Sequence, residues 1–187
     1  MKIKLGNKVM VSDPCYGLNT WCQGILENVL PGIYDCEVEY SNEGAWGERV
    51  AAIEVTHQHC GICQFEKADF EVGVDSGQAG IFDYDYYCQY HTDCDDREHV
   101  DDDWYDRVCD ITLARESVGT IDECGIVSSS GYGDGSYDCW ITRNRDGYIV
   151  AIRIEYITEE DEEDDEWEDD ELEDEEEFEW EDDEECN

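Results

Sequence analysis

The segment YDCWITRNRDGYIVAIRIEYI, residues Tyr137–Ile157, predicts two antiparallel strands joined by a tight turn. NRDG (Asn144–Gly147) lies between the two halves and is typical of a hairpin, because Asp-Gly tolerates the positive φ of a type I′ turn. One face of the second half carries Tyr148, Val150, Ile152, Ile154 and Tyr156. Its other face is also partly apolar, so we expect this strand to be central in its sheet.

Alternating apolar residues predict further strands earlier in the chain. One of them ends at Asp13-Pro14, because Pro14 has no amide proton to donate to a ladder. Another, GIYDCEVEY, is followed by a Gly-rich turn and RVAAIEVTH, which we expect to be its hairpin partner. These strands are KVMVS (Lys8–Ser12), GIYDCEVEY (Gly32–Tyr40), RVAAIEVTH (Arg49–His57), DFEVGVD (Asp69–Asp75) and ECGIVSS (Glu123–Ser129).

The period changes to that of a helix in VDDDWYDRVCDITLARE, Val100–Glu116, where Trp104, Val108 and Ile111 fall on one face. Acidic residues at its start and Arg115 at its end suit the two ends of a helix dipole. The predicted fold class is therefore α+β and β-rich, with mainly antiparallel sheet and one principal helix. We expect residues 1–157 to form one globular domain.

The charge of the chain is its most extreme property. The formal net charge is −42, and 23 of the 27 residues from Glu159 to Glu185 are Asp or Glu. All 11 Lys and Arg precede Glu159, together with the remaining 30 acidic residues. Such a charge predicts no direct binding to nucleic acid or to an anionic membrane, since both need a basic surface. It favours a basic protein partner; adaptation to high salt is an alternative.

Residues 158–187 form an acidic low-complexity tail that we expect to be disordered on its own, because like charges repel. One interpretation is a tail that only increases solubility. In the other, its apolar residues anchor the tail as it wraps a basic protein surface or mimics a nucleic-acid backbone. These residues follow neither a helical nor a strand period, and they are Trp167, Leu172, Phe178 and Trp180.

The N-terminus, MKIKLGNKVMVSDP, lacks the apolar core of a signal peptide, and no run of about 18 apolar residues occurs. We therefore expect a cytoplasmic protein. Its 11 cysteines are expected to be thiols in a reducing compartment. A secreted disulfide scaffold is the alternative.

The run HQHCGIC supplies residues with the spacing of a zinc site, namely His57, His59, Cys60 and Cys63. A second half-site would use Cys88, His91 and Cys94. Chance spacing among 11 cysteines is the alternative, as is a core role for His57, which continues the face of Ile53 and Val55. No cofactor other than zinc is expected.

The chain lacks the G-x-S-x-G, G-x-x-x-x-G-K-[ST] and H-E-x-x-H motifs. Cys15 beside a histidine could form a thiol nucleophile, but so could any of the other cysteines. Four aspartates lie at predicted strand ends, where they could bind a hard cation or a cationic ligand; capping a turn is the alternative use. They are Asp13, Asp75, Asp83 and Asp134.

Three blocks of the sequence resemble a bacterial and phage family that is classified only as a domain of unknown function. The blocks are VSDPCY (Val11–Tyr16), VDSGQAGIFD (Val74–Asp83) and SSGYGDGSYDCW (Ser129–Trp140), the last followed by DGYIVAIRIEY. The resemblance implies a β-rich fold without established enzymatic activity, and some relatives resemble immunity proteins that act against toxins. The positions that match the family's motifs are Asp75, Gly77, Asp83, Gly133, Asp134, Gly135 and Tyr137.

Together these features predict a non-enzymatic binding or inhibitor protein, of immunity or anti-defence type, that engages a basic protein surface. The alternative is a small-ligand or metal-dependent binder or enzyme that uses the strand-end aspartates. The candidate ligand or partner site comprises Asp13, Cys15, Asp75, Gln78, Asp83, Asp134 and Tyr137. The Gly-rich segment SSSGYGDGSYDCW is predicted to connect two strands, because its glycines permit positive φ.

Overall fold

A computed structural model of the chain describes residues 1–61 and 64–158. It contains two antiparallel sheets, a short helix and one longer helix, which confirms the predicted fold class. The acidic tail predicted for residues 158–187 lies outside the described residues beyond Thr158.

The strands are numbered in chain order. They are β1 (Lys2–Leu5), β2 (Lys8–Ser12), β3 (Gly24–Glu27), β4 (Gly32–Asn42), β5 (Glu48–His57), β6 (Glu66–Val74), β7 (Gln78–Asp83), β8 (Val118–Ile121), β9 (Gly125–Ser129), β10 (Gly135–Arg143) and β11 (Ile149–Glu155). The helices are α1 (Tyr84–Tyr87) and α2 (Asp102–Thr112), with a 3-10 turn at Gly44–Trp46.

The six-stranded sheet has the order β1-β4-β5-β11-β10-β6, and the five-stranded sheet has the order β3-β2-β7-β9-β8. Strand β11 lies between β5 and β10, as its two apolar faces predicted. Strands β4 and β5 form the expected hairpin, and β10 pairs with β11. Strand β6 is an edge strand of the larger sheet.

The β10–β11 turn differs from the predicted type I′ geometry. The Gly147 amide donates to the Asn144 carbonyl at 3.0 Å, and within the turn only Gly147 has positive φ, at +86°. The Asn144 Oδ1 atom accepts the amides of Asp146 and Tyr148, which stabilises this turn. A register shift follows, so that Ile149 rather than Val150 joins the apolar cluster between the sheets. The predicted face of β11 is therefore wrong at its first residues.

The core has two parts. Apolar side chains of both sheets, including Ile53, Ile81 and Ile152, form one cluster. An aromatic cluster, made of Phe82, Tyr86, Tyr87 and Trp104, lies beneath α2. Its side chains come from β7, α1 and α2, so this cluster attaches the helices to the smaller sheet.

Helix α2 begins where its sequence predicted, because the Asp101 carboxylate accepts the Trp104 amide at 2.9 Å. It ends at Thr112 with Leu113 as C-cap, so Arg115 lies beyond the last turn that it was expected to complement. The predicted apolar face of α2 is directed inward: Trp104 and Val108 are fully buried, and Ile111 is half-buried.

An ion pair attaches α2 to the turn between β8 and β9. The Arg107 guanidinium donates to both carboxylate oxygens of Asp122, at 2.8 and 3.0 Å, and the Tyr86 hydroxyl donates to Asp122 at 2.7 Å. Asp122 and Glu123 both have positive φ, at +47° and +56°, which is the geometry of a type I′ turn. Arg107 and then Tyr86 hold the pKa of the Asp122 carboxyl below its usual range.

Asp122→Asn should lower the free energy of unfolding by about 0.5–1.5 kcal/mol at pH 7, a modest value because the pair is exposed to solvent. An acid with a lowered pKa stabilises the fold above its unfolded pKa of about 4, and this contribution disappears as pH falls through the folded pKa. Urea unfolding of both proteins across pH checks this. The two free energies should converge as pH falls through the lowered pKa of Asp122; a constant difference at every pH would show that Asp122 acts without its charge.

Candidate functional site

The first and second sequence blocks meet at a buried carboxylate. Asp13 follows β2 and is fully buried. Its Oδ1 atom accepts the Cys15 amide at 2.8 Å and the Ser76 hydroxyl at 2.7 Å. Its Oδ2 atom accepts the amides of Asp75 and Ser76, at 2.9 and 2.8 Å. Asp13 therefore fixes the turn between β6 and β7, and its charge is satisfied by four donors.

The third block joins this turn through its backbone. The Ser130 amide donates to the Gly77 carbonyl at 3.0 Å, and Gly77 has the positive φ, +70°, that favours glycine. The Tyr137 hydroxyl oxygen lies 2.9 and 2.7 Å from the carbonyl oxygens of Ser130 and Gly133, which share its one proton. The Gly-rich segment is thus a closed loop between β9 and β10, and Tyr137 supports it from within.

Two of the predicted aspartates lie side by side at this end of the larger sheet. Gly135 of β10 pairs with Val74 of β6, so Asp134 and Asp75 are the next residues beyond that pair. Both are exposed and line one groove of about 490 Å³, together with Tyr16 and Trp21. Burial, and then the neighbouring Asp75 carboxylate, raise the pKa of the Tyr16 hydroxyl, which therefore stays protonated.

Gln78 connects the same turn to α2. Its Oε1 atom accepts the Thr112 hydroxyl at 2.7 Å, and its amide nitrogen lies 3.4 Å from the Tyr105 hydroxyl. Gln78 is buried, so this contact is internal to the fold. The structure places it next to the predicted site but beneath the surface.

Asp83 is not brought together with the other aspartates. It lies at the far end of β7, five residues from Gln78, or roughly 17 Å along an extended strand. Its carboxylate caps α1 by accepting the Tyr86 amide at 3.0 Å, and it also accepts the Gly6 amide at 2.8 Å. Asp83 thus has the turn-capping use that was the alternative interpretation.

The environment of Cys15 keeps its thiol protonated. Burial raises its pKa well above the usual value, and the nearby Asp13 carboxylate raises it further. Since the thiolate is the reactive form, this arrangement disfavours a nucleophilic role for Cys15. The adjacent His99 ring is 3.1 Å from the Cys15 carbonyl oxygen, and its other ring nitrogen faces the Asp96 carbonyl.

Cys15 should therefore react slowly with alkylating reagents. At pH 8 we expect iodoacetamide to modify Cys15 at least about tenfold more slowly than the exposed Cys94, because little of Cys15 is thiolate. Peptide mass spectrometry over a time course gives both rates in one sample. Equal rates would show that the Cys15 thiol is more acidic than its surroundings indicate.

The predicted zinc residues occupy dissimilar positions. His57 ends β5 and is buried against Tyr34, with ring centroids 5.2 Å apart, as expected of a core histidine. His59 lies in the following turn, so the two histidines do not share a strand face as predicted. Cys60 is half-buried, and Cys63 lies outside the described residues.

The second predicted zinc half-site contains a buried histidine, His91. The His91 ring stacks on Tyr87 with centroids 3.5 Å apart, and burial lowers its pKa. Its two nitrogens lie 2.8 Å and 3.1 Å from the carbonyl oxygens of Tyr87 and Pro14. Within residues 1–61 and 64–158, three metal-ligand atoms come within 4.8 Å of one another only at Asp93, Cys94 and Asp95.

A family comparison covers all three sequence blocks. The model described as "Protein of unknown function (DUF4241)" matches residues 5–154. The chain belongs to this family. The matched DUF4241 region runs from the end of β1 almost to the end of β11, and residues 155–187 lie outside it. No curated protein and no solved structure matches the chain.

Two surface features of this DUF4241 protein were not predicted from its sequence. Trp21 is 90 % exposed, next to the groove that holds Asp75 and Asp134. The segment Thr92–Asp103 and helix α2 together carry nine exposed carboxylates, and these two segments are here called the acidic face. The run DCDDREHVDDD signals the charge, and the exposure of Asp106 and Asp110 extends it along α2. No helix among the described residues is long and apolar enough to cross a membrane.

Proposed function

We propose that this protein binds a basic surface of another protein and acts by occupying it, as an inhibitor, without catalysing a reaction. The acidic face is the observation that carries this proposal. Its carboxylates are all exposed and all come from two adjacent segments of the chain. They belong to Asp93, Asp95, Asp96, Glu98, Asp101, Asp102, Asp103, Asp106 and Asp110.

Little positive charge offsets this surface. Within the acidic face the basic residues are Arg97 and Arg107, and Arg107 is held by Asp122. Elsewhere, Lys67 pairs with Asp138 at 2.6 Å, and Arg153 pairs with Glu39 at 2.6 Å. Because the residues before Glu159 carry 30 acidic side chains against 11 basic ones, their long-range field is negative, and such a field accelerates encounter with a basic partner.

The predicted aspartate site supports binding more than catalysis. Asp13 uses its carboxylate to hold Cys15, Asp75 and Ser76 in place, and the Cys15 thiol is kept protonated. What these residues build is a rigid loop that presents Asp75 and Asp134 to solvent. A rigid loop of this kind suits recognition, since little conformational entropy is lost on binding.

The acidic tail extends the same electrostatic character in this proposal. Its four apolar residues, Trp167, Leu172, Phe178 and Trp180, would anchor it on the partner, and its charge would mimic a nucleic-acid backbone. The resemblance to phage and immunity-like proteins suggests a bacterial cytoplasm as the place of action. A nuclease or another nucleic-acid-binding protein is then the expected kind of target.

The proposal is tested with full-length protein and with a chain that ends at Ile157. Partners captured from a lysate of the source cell are identified, purified and titrated against both proteins at rising NaCl concentration. We expect basic partners whose affinity falls with salt, and weaker binding to the shortened chain. Neutral or acidic partners, or affinities that do not depend on salt, would contradict the proposal.

A second candidate function is favoured by the adjacency of Asp75 and Asp134. Two exposed carboxylates in a groove beside Tyr16 and Trp21 could hold a small cation or a cationic ligand. Titration with Ca²⁺, Mg²⁺ or spermidine, followed by NMR, distinguishes this function from the first. Saturable shifts at both residues, lost in an Asp75→Asn and Asp134→Asn double variant, would support a small-ligand site.

A further inference from the structure

Strand β6 has one unoccupied backbone edge among the described residues. It pairs with β10 on one side and is the last strand of its sheet on the other. Near its end the Gly73 amide donates outward to the Cys22 carbonyl at 3.1 Å. From Glu66 to Glu71, no backbone hydrogen bond joins the outer side of β6 to another described residue.

The outward bond of Gly73 fixes the direction of its neighbours. Backbone groups alternate in direction along an antiparallel strand, so Glu71 presents its amide and carbonyl to the same side as Gly73. Glu71 follows the bulge of β6 and is exposed. The edge therefore offers donors and acceptors to an added strand next to the point where Cys22 already uses one.

The same edge is bordered by aromatic side chains in a cleft of about 580 Å³. Trp21 and Phe70 line it, and Trp21 also borders the adjoining groove of Asp75 and Asp134. The backbone next to Trp21 is fixed by the Cys22 carbonyl bond and by the Thr20 hydroxyl, which donates to the Gly17 carbonyl at 2.8 Å. A large aromatic ring held by a fixed backbone yet almost fully exposed is typical of a binding anchor.

The charge of the cleft indicates what occupies it. Its carboxylates are Asp69 and Glu71, and its one basic residue, Lys67, is already engaged by Asp138 and Glu71. Asp75 and Asp134 continue the negative charge into the adjoining groove. A second copy of the chain would bring a further net charge of −42, so self-pairing is opposed by repulsion.

We propose that an extended, basic segment of the partner adds as a strand to the outer edge of β6, with Trp21 as its side-chain anchor. This inference rests on the proposed function and specifies the mode of binding. Backbone hydrogen bonds to β6 would supply affinity. Asp69, Asp75 and Asp134 would select Lys or Arg side chains on the added strand, whereas the Glu71 carboxylate is already paired with Lys67.

The probe is the capped hexapeptide acetyl-Lys-Val-Lys-Val-Lys-Val-amide, titrated into ¹⁵N-labelled full-length protein. Two further peptides carry backbone N-methyl groups at every second residue, one at the odd positions and the other at the even positions. Each keeps the charge of the probe and loses the amide donors along one of its two edges. We expect shifts of the Asp69 and Glu71 amides and the Trp21 indole. At least one of the two methylated peptides should bind with an affinity about tenfold or more below that of the unmethylated probe, because it loses three hydrogen bonds.

Matched variants separate the edge and the anchor from general electrostatics. Glu71→Pro removes the outward amide, whereas Glu71→Gln removes the charge and keeps the amide. Trp21→Ala removes the anchor, and Trp46→Ala removes an exposed tryptophan, 66 % accessible, from the turn between β4 and β5. We expect Glu71→Pro and Trp21→Ala each to weaken the probe about tenfold, and both control variants to change affinity less than about threefold.

The outcomes distinguish this inference from the proposed function. Strand addition is overturned if both N-methylated peptides bind the wild-type protein as tightly as the unmethylated peptide does, and if Glu71→Pro binds the unmethylated peptide as tightly as the wild type. If that binding still falls with salt, the proposal of a basic partner stands. Shifts confined to the acidic face, or dimer formation through β6, also overturn strand addition. Loss of binding by one methylated peptide and by Glu71→Pro supports it.

Discussion

Asp13→Ala should lower the free energy of unfolding by about 3–5 kcal/mol, because it leaves three backbone amides and a hydroxyl without their charged acceptor. Asp13 is fully buried and lies at the meeting point of the β2 end and the β6–β7 turn. Urea unfolding at pH 7, followed by circular dichroism, measures the change.

Two variants control this expectation. Asp13→Asn keeps the shape and one acceptor oxygen, so it should cost about 2–3 kcal/mol. Asp75→Asn alters an exposed carboxylate at the same turn and should change stability by less than about 0.5 kcal/mol. If Asp13→Ala were as mild as Asp75→Asn, the loop would be held by contacts other than this carboxylate, and the structural role assigned to Asp13 would be wrong.

Trp104→Ala should lower the free energy of unfolding by about 3–5 kcal/mol, because it removes the largest fully buried side chain and leaves a cavity. The indole stacks with Tyr90, with centroids 5.7 Å apart, and its nitrogen donates to the Tyr86 hydroxyl at 2.8 Å. Its loss therefore removes packing between α2 and β7 and leaves Tyr86 without a donor.

Trp21→Ala is the matched control for this prediction, since Trp21 is 90 % exposed and should contribute less than about 0.5 kcal/mol. Differential scanning calorimetry of both variants gives the comparison in one experiment. The Trp104→Ala protein should also lose the near-ultraviolet circular dichroism signal of the buried indole. A Trp104→Ala protein of unchanged stability would contradict the aromatic cluster beneath α2.

Periodicity was sufficient to predict α2 and seven of the strands among the described residues, but not β1, β3, β7 and β8. The alternation in β4, β5 and β11 follows from burial of one or both strand faces, and Asp101 marks the start of α2 because its carboxylate caps the helix. Turn geometry was harder to predict. Asp146-Gly147 has the favoured dipeptide of a type I′ turn, but the Asn144 side chain stabilises a different turn, and the type I′ geometry occurs at Asp122-Glu123.

The candidate site was only partly predictable. The positions of Asp13, Asp75 and Asp134 at strand ends could be read from the sequence, but their adjacency depends on the pairing of β6 with β10. Asp83 has the same local pattern and lies at the opposite end of β7. The exposure of Trp21 could not be predicted, because an isolated apolar residue has no period that assigns it to the core or the surface.

The three sequence blocks meet in the structure and hold one another in place. Asp13 from the first block holds the turn of the second, and the Gly-rich loop of the third bonds to that turn through Gly77. The result is a fixed end of the domain that presents Asp75, Asp134 and Trp21 next to the open edge of β6. This fixed end of the domain is the surface that we propose binds the partner.

We propose that this surface and the acidic face bind a basic protein. The most direct measurement is the dissociation constant of the full-length protein with its purified partner as a function of NaCl concentration. We expect a basic partner whose affinity falls about tenfold or more between about 50 and 300 mM NaCl, as screening weakens the attraction. An affinity unchanged across that range would contradict it.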